Sequence, residues 1–255
     1  MTATASTHDR LFILRNLVEK DFKVRYRNMS LGIFWSLVNP IIMMGVLTFV
    51  FTVIFPSAKP HFWLFVLMGI LPYNFFTLAW ATGTNSIVEN SGLIKKVPFQ
   101  RELVPISVVL GNLVHYLIQL GLLLAAAAIV MGVNAGWLWI PLIVVLQLVF
   151  VCGMSLLSSS LDVYYRDMRY LVESANLVLF WLCPIFYGFE DIRPGYAWIY
   201  ELNPIAAVIL ITRRILLYGQ GPGLTAWKMM GVSLLTFAIG FFVFRRIKQD
   251  FSDYL

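Results

Sequence analysis

The sequence predicts an all-α integral membrane protein: six transmembrane helices, an N-terminal amphipathic interfacial helix, and an external re-entrant helical hairpin between helices five and six. Three observations predict this. Of the 255 residues, 60% are hydrophobic and only 13% charged, an oilier balance than a soluble domain carries. Uncharged apolar runs of about 20 residues recur, the length that crosses a hydrocarbon core of roughly 30 Å. Basic residues gather on alternate loops, which marks the cytoplasmic side. No period-2 barrel pattern competes, and residues 1–255 read as a single transmembrane domain.

Residues 1–8 are small and polar. The first element covers 9–28, where Leu11, Leu14, Val18, Phe22 and Tyr26 recur at helical spacing. Arg10, Arg15, Lys20, Lys23, Arg25 and Arg27 take up the remaining surface. Such a helix suits the membrane interface; a basic flank with no helix would carry the same charge. A cleavable signal peptide is not expected, because the apolar run that follows is too long for one.

The spans follow in order. Span one is about Gly32–Phe55, with Asn39-Pro40 inside it, and span two about Phe62–Ala81, interrupted by Gly69 and Pro72. Span three is about Leu103–Met131 and span four about Trp137–Leu161. Span five is about Leu171–Tyr187 and span six about Ala226–Phe244. Proline and glycine inside spans are tolerated where neighbouring helices satisfy the loosened backbone. Gly153, Ser155 and Ser158–Ser160 in span four, and Ala125–Ala128 in span three, offer surfaces for close helix contact.

Sidedness comes from the loops. Basic residues crowd the N-terminal segment, the loop after span two (Lys95, Lys96, Arg101), the loop after span four (Arg166, Arg169) and the tail (Arg245, Arg246, Lys248). The loop after span one has only Lys59, and the loop after span three has none. Both termini are therefore expected in the cytoplasm. Residues 204–218 resemble a seventh span, but they are short and would put Arg213-Arg214 in lipid. The segment 188–225 is expected instead as an external hairpin, broken at Asn203-Pro204, with both arginines at headgroup level.

No GxxxxGK[ST] motif occurs, so the chain carries no such ATP-cradling loop. Glu89, Glu102, Asp162 and Asp167 sit at or beyond span ends, and Glu173 about one turn inside span five. A proton- or sodium-coupled carrier keeps such groups near the midplane. Cys152 and Cys183 lie in apolar runs, and His8, His61 and His115 are scattered, so neither a disulfide nor a metal site is expected. Charge gathers instead in "NSGLIKKVPFQREL", residues 90–103. Ile87, Ile94 and Val97 can share one helical face, with Lys95, Lys96, Arg101 and Glu102 nearby and Pro98 ending the helix. Such a helix can dock into a groove on a cytoplasmic partner; a plain positive-inside loop is the other reading.

Four stretches resemble the ABC type-2 permeases that export polysaccharides such as O-antigen, capsule and teichoic acid. They are "FKVRYRNMSLGIFWSLVNPIIMMGVLTFVFTVIF" at 22–55, "GTNSIVENSGLIKKVPFQRELVP" at 83–105, "LDVYYRDMRYLVESANLVLFWLCPIFY" at 161–187 and "LNPIAAVILITRRILLYG" at 202–219. One departure is Gln100, where the family commonly has proline. The resemblance implies a transport subunit without its own ATPase, in a bacterial cytoplasmic (inner) membrane. Two copies would form one conduit, driven by two copies of a separate ATPase subunit that binds Mg-ATP. The coupling helix of the family falls in the loop at 83–102, on Ile87, Leu93, Ile94, Lys95, Lys96 and Phe99. No cofactor or metal is expected in this chain, and no nucleic-acid partner.

A glycan cargo needs a protein-lined path, and sugar faces stack on aromatic rings. Trp35, Phe49 and Phe51 in span one, and Phe180, Trp181, Phe186 and Tyr187 in span five, are candidate lining residues; interfacial belts use the same residue types. Arg25, Arg27, Arg166 and Arg169 are candidates to attract the diphosphate of a lipid-linked polymer at the cytoplasmic entrance. Arg166 and Asp167 equally suit a local ion pair that positions span five. Two other functions compete. One is an ABC permease for a drug or small lipid. The other is a membrane enzyme acting on polyprenyl lipids, for which Glu190, Asp191 and Glu201 come nearest to a catalytic cluster.

Overall fold

The computed structural model describes residues 7–26, 34–55, 59–96 and 99–254. These form a helical bundle with no strand among the described residues. The helices are α1 (Thr7–Tyr26), α2 (Trp35–Phe49, extended by a π turn at Val50–Ile54), α3 (Phe62–Glu89), α4 (Ser91–Lys96) and α5 (Leu103–Met131). They continue with α6 (Ile140–Asp162), α7 (Met168–Leu182), α8 (Ala197–Leu202), α9 (Pro204–Tyr218), α10 (Gly223–Ile247) and α11 (Phe251–Tyr254). Among the described residues, five stretches are long and apolar enough to cross a membrane: Leu37–Ile54, α3, α5, Ala135–Asp162 and α10.

Helix α3 is the hub, buried along most of its length and packed by α2, α5, α6, α7 and α9. It runs 28 residues, two turns past the expected end at Ala81. The extra turns are polar yet helical, because their hydroxyls bond back to the helix. Thr82 donates to Leu78 O at 2.7 Å, Thr84 to Trp80 O at 2.8 Å and Ser86 to Gly83 O at 2.7 Å. At 1.5 Å per residue α3 is about 42 Å long, so it projects beyond a hydrocarbon core of roughly 30 Å. Pro72 lies mid-helix, and buried Gln147 of α6 donates to its carbonyl at 2.7 Å.

Small residues set the closest helix contacts, as their placement in the sequence suggests. A Cβ on Gly153 would fall 2.6 Å from the Phe237 backbone, and one on Gly240 would fall 2.2 Å from Gly153 O. Helices α6 and α10 therefore touch backbone to backbone. Of the alanine run in α5, only Ala127 is buried.

The fifth predicted span departs from expectation. Helix α7 has 15 residues and stops at Leu182, five residues before Tyr187. Proline disfavours helical backbone in the residue before it, and Cys183, before Pro184, is extended at φ −86 and ψ 142. Residues 183–188 continue as irregular chain. Helix α9 is mostly buried, against α3, α10 and α6, and of the two arginines expected at headgroup level Arg213 is buried with it while Arg214 is exposed. It starts where the break was expected, with Asn203 Oδ1 accepting from Ile205 N at 3.0 Å and Pro204 in the first turn. It ends at Gly219, whose φ of 63 suits glycine and closes the last turn.

Candidate functional site

The charged stretch at 90–103 occupies one corner of the molecule, at the far end of α3. Asn90 makes the bend: its side chain donates to Ser86 O at 2.8 Å, and its carbonyl accepts from Leu93 N and Ile94 N. The bend folds α4 back. Ile87 and Ile94 thus sit on two helices yet meet in one buried cluster with Val104, Leu156, Val163, Phe244 and Phe251. This corrects the expectation of a greasy ridge facing a partner: those side chains are spent on the bundle itself. Val97 and Pro98 lie outside the described residues. What α4 leaves outward is Gly92, Lys95 and Lys96, all exposed.

Neighbouring elements hold this corner. Lys20 of α1 donates to Asn90 Oδ1 at 2.8 Å. Leu93 and Phe99 face Ile13, Asn16 and Leu17 of α1 across a groove of ≈ 270 Å³. On the other side Glu102, 7% exposed, pairs with Lys248 at 2.9 Å. Arg101 donates to Lys248 O at 2.6 Å and lies over the Phe251 ring at 5.9 Å. Tyr164 Oη donates to Ile247 O at 2.9 Å. The segment 90–102 is thereby joined to α1 and to the chain after α10, and Ile94 meets α10 and the loop after α6 in the buried cluster.

Of the four entrance arginines, Arg166 and Arg169 are described together, in the loop after α6 and the first turn of α7. Arg25 lies in α1, and Arg27 falls outside the described residues. Arg166 is exposed, and Arg169 Nε donates to Arg166 O at 3.1 Å. The Arg166–Asp167 ion pair does not form among the described residues; both side chains point to the surface. Asp162, at the end of α6, is 1% exposed.

The aromatic candidates divide. Phe51 stacks on Phe186 at 5.1 Å, and Phe186 meets Phe180, Trp181 and Tyr187 at 6.2, 5.6 and 5.3 Å. These five form one continuous patch where α7 ends, reaching Tyr73 of α3 through Phe180. Trp35 and Phe49 stand apart, exposed on α2.

Sequence reading missed the device behind that patch. Arg213 is 4% exposed and spends all five N–H groups on backbone carbonyls. Nε and Nη2 donate to Phe65 O at 3.3 and 3.1 Å, and Nη2 also to Ile185 O at 2.6 Å. Nη1 donates to Pro184 O at 2.6 Å and Tyr187 O at 3.1 Å. Ile185 rests directly on Gly69, where a Cβ would meet its Cα at 2.9 Å. Lys59 fastens the next residues, pairing with Glu190 at 2.9 Å and Asp191 at 2.8 Å. The Lys59 ammonium, then the Gly188 N–H, holds the Asp191 carboxyl below its usual range. Glu190 and Asp191 thus serve as anchors for a strap over residues 184–191.

The comparisons with known proteins agree with this architecture. The family described as "ABC-2 type transporter" matches residues 14–213. The O-antigen export system permease protein RfbA of Klebsiella pneumoniae is 28% identical over 253 residues, covering 97% of this chain and 95% of that protein. Its namesake in Myxococcus xanthus is 29% identical, covering 94% of each chain. The polysialic acid transport protein KpsM of Escherichia coli is 22% identical, covering 89% of this chain and 90% of that protein. With the family matched along most of its length, the chain belongs to the ABC-2 type transporters.

Proposed function

We propose that this chain is the permease subunit of an ATP-driven exporter that moves lipid-linked polysaccharide of the O-antigen, capsule or teichoic acid type across the bacterial cytoplasmic membrane. The observation that carries the cargo is the end-to-end match to relatives whose names specify O-antigen export and polysialic acid transport. The energy source is argued separately. The sequence holds no GxxxxGK[ST], while α4 presents Lys95 and Lys96 on a corner joined to three other elements. A separate ATPase subunit carrying Mg-ATP pushes on that corner, and differential contacts in its two states shift the bundle.

In this reading the chain crosses six times. Helix α7 alone spans about 22 Å, short of the core, and residues 183–187 complete the crossing. Irregular backbone at that depth needs its carbonyls satisfied by protein, and Arg213 supplies this. Both termini then lie in the cytoplasm, and 188–225 forms a re-entrant hairpin at the external mouth. Helix α2 and the exposed side of α7 leave their apolar faces uncovered, which suits a second copy of the chain across the conduit, with lipid around it. Phe51, Phe180, Trp181, Phe186 and Tyr187 would line that conduit.

Deletion of the gene is expected to remove surface polysaccharide and leave drug sensitivity unchanged. Purification of the tagged chain from its native membrane is expected to bring down an ABC ATPase. Normal surface glycan in the deletion strain would reject the cargo.

A further inference from the structure

At the end of α3 opposite the α4 corner, a cavity of ≈ 470 Å³ opens between the end of α9, the start of α10 and residues 188–190. That is within the size of small-ligand sites. Its lining is mixed. Tyr218 and Phe189 expose aromatic surface there, while Arg214, Glu190, Gln220 and Thr225 bring hydrogen-bonding groups of both senses. Arg213 forms the inner wall, but its N–H groups are all engaged, so it contributes field and no ligand bond. Arg214 differs: it is exposed, and its side chain makes no hydrogen bond or ion pair among the described residues. Gly223 makes room for it, since a Cβ there would fall 2.7 Å from Arg214 Nη1.

An apolar shelf beside an unengaged planar donor and a fixed carboxylate suits a sugar ring. The ring's C–H face packs on the aromatic surface, and paired hydroxyls bond the guanidinium, carboxylate and amide. A headgroup phosphate would draw on the cations alone and leave Tyr218, Phe189 and Glu190 without a role. We propose that this cavity binds one sugar unit of the exported polymer on the external side. The inference rests on the polysaccharide reading above.

The probe is a set of oligosaccharides of one to three repeat units, released from the surface polysaccharide of the strain that encodes the chain. The protein is the full chain with its ATPase in lipid nanodiscs. Saturation-transfer NMR is expected to show binding, weakened about fivefold or more when Arg214→Ala is combined with Tyr218→Ala. Unfolding temperature and ATPase association should hold. Equal affinity in the double variant overturns the site.

A second measurement covers a variant that fails to fold. Gln220→Cys is exposed while native Cys152 and Cys183 are buried, so maleimide should modify it selectively. Oligosaccharide is expected to slow that modification several-fold, and glycerol phosphate to leave it unchanged. Equal protection by glycerol phosphate marks an anion site and overturns the sugar assignment. If gene deletion removes surface glycan yet Gln220→Cys is never protected, this inference fails while the export reading stands.

Discussion

Arg213 shows why a residue that looks misplaced in an apolar helix is kept there. No carboxylate lies within ion-pair distance of it among the described residues; its partners are carbonyls of Phe65, Pro184, Ile185 and Tyr187. Each buried carbonyl left unpaired costs about 1–3 kcal/mol, so Arg213→Ala is expected to lower the unfolding temperature strongly. Arg213→Lys offers three donors for five and is expected to fall between. Tryptophan fluorescence on heating in detergent reads both. Wild-type melting of Arg213→Ala would mean water reaches those carbonyls. The sequence announced the cost of this arginine but not its partners, because a carbonyl belongs to every residue and leaves no mark in the pattern. Asp191 illustrates the milder case. Its carboxyl pKa is depressed by Lys59, so its contribution is present above the unfolded value near 4 and is lost as pH falls through the lower folded value. Acidification from pH 7 to about 5 is therefore expected to leave the strap intact, whereas Lys59→Gln loosens it at either pH. Limited proteolysis within 184–191 is the readout. Both partners are partly solvated, so the effect is small.

At the scale of the element, α4 separates two roles that the sequence ran together. Ile94 belongs to the buried cluster, and Lys95 and Lys96 belong to the surface. Ile94→Ala is expected to destabilise the corner by about 2–4 kcal/mol. Lys95→Glu with Lys96→Glu is expected to keep the melting temperature and abolish export, measured as surface glycan. Normal export in that charge-reversed variant, with the ATPase still bound, would remove α4 as the handle. The α6–α10 contact makes the opposite kind of demand. Gly240→Val places methyl groups where Gly153 O already sits, so folded yield should collapse, while Gly231→Val meets open space and should be tolerated. The elements most legible in sequence were those with an uninterrupted apolar run: α5 matches its expected span end to end. Helix α3 outruns its apolar run because Thr82, Thr84 and Ser86 look like loop residues in sequence, while their hydroxyls bond back into the helix. Helix α7 is shorter than its apolar run because periodicity does not register a Cys-Pro step that ends a helix inside such a run.

Across the whole molecule, the α4 corner and the strap at 184–191 lie at opposite ends of one rod, α3. From Phe65, where Arg213 fastens the strap, to Glu89, where α4 begins to turn, α3 covers about 36 Å. Under the proposed function, a push at α4 would be delivered to a helix whose other end anchors residues 184–191 through Gly69, Arg213 and Lys59. Helix α3 is locked to α6 on the way: Trp80 Nε1 donates to Ser158 Oγ at 3.2 Å, and Thr84 and Ser158 hydroxyls meet at 2.7 Å. The proposed exporter requires one orientation, with α4 in the cytoplasm and the strap outside. Buried Cys152 and Cys183 give the wild-type chain little thiol background. In spheroplasts, a membrane-impermeant maleimide is expected to label Gln220→Cys and to spare Lys95→Cys until the membrane is opened. The reverse pattern would turn α3 over and leave α4 facing away from any ATPase, so the rod would have nothing to transmit.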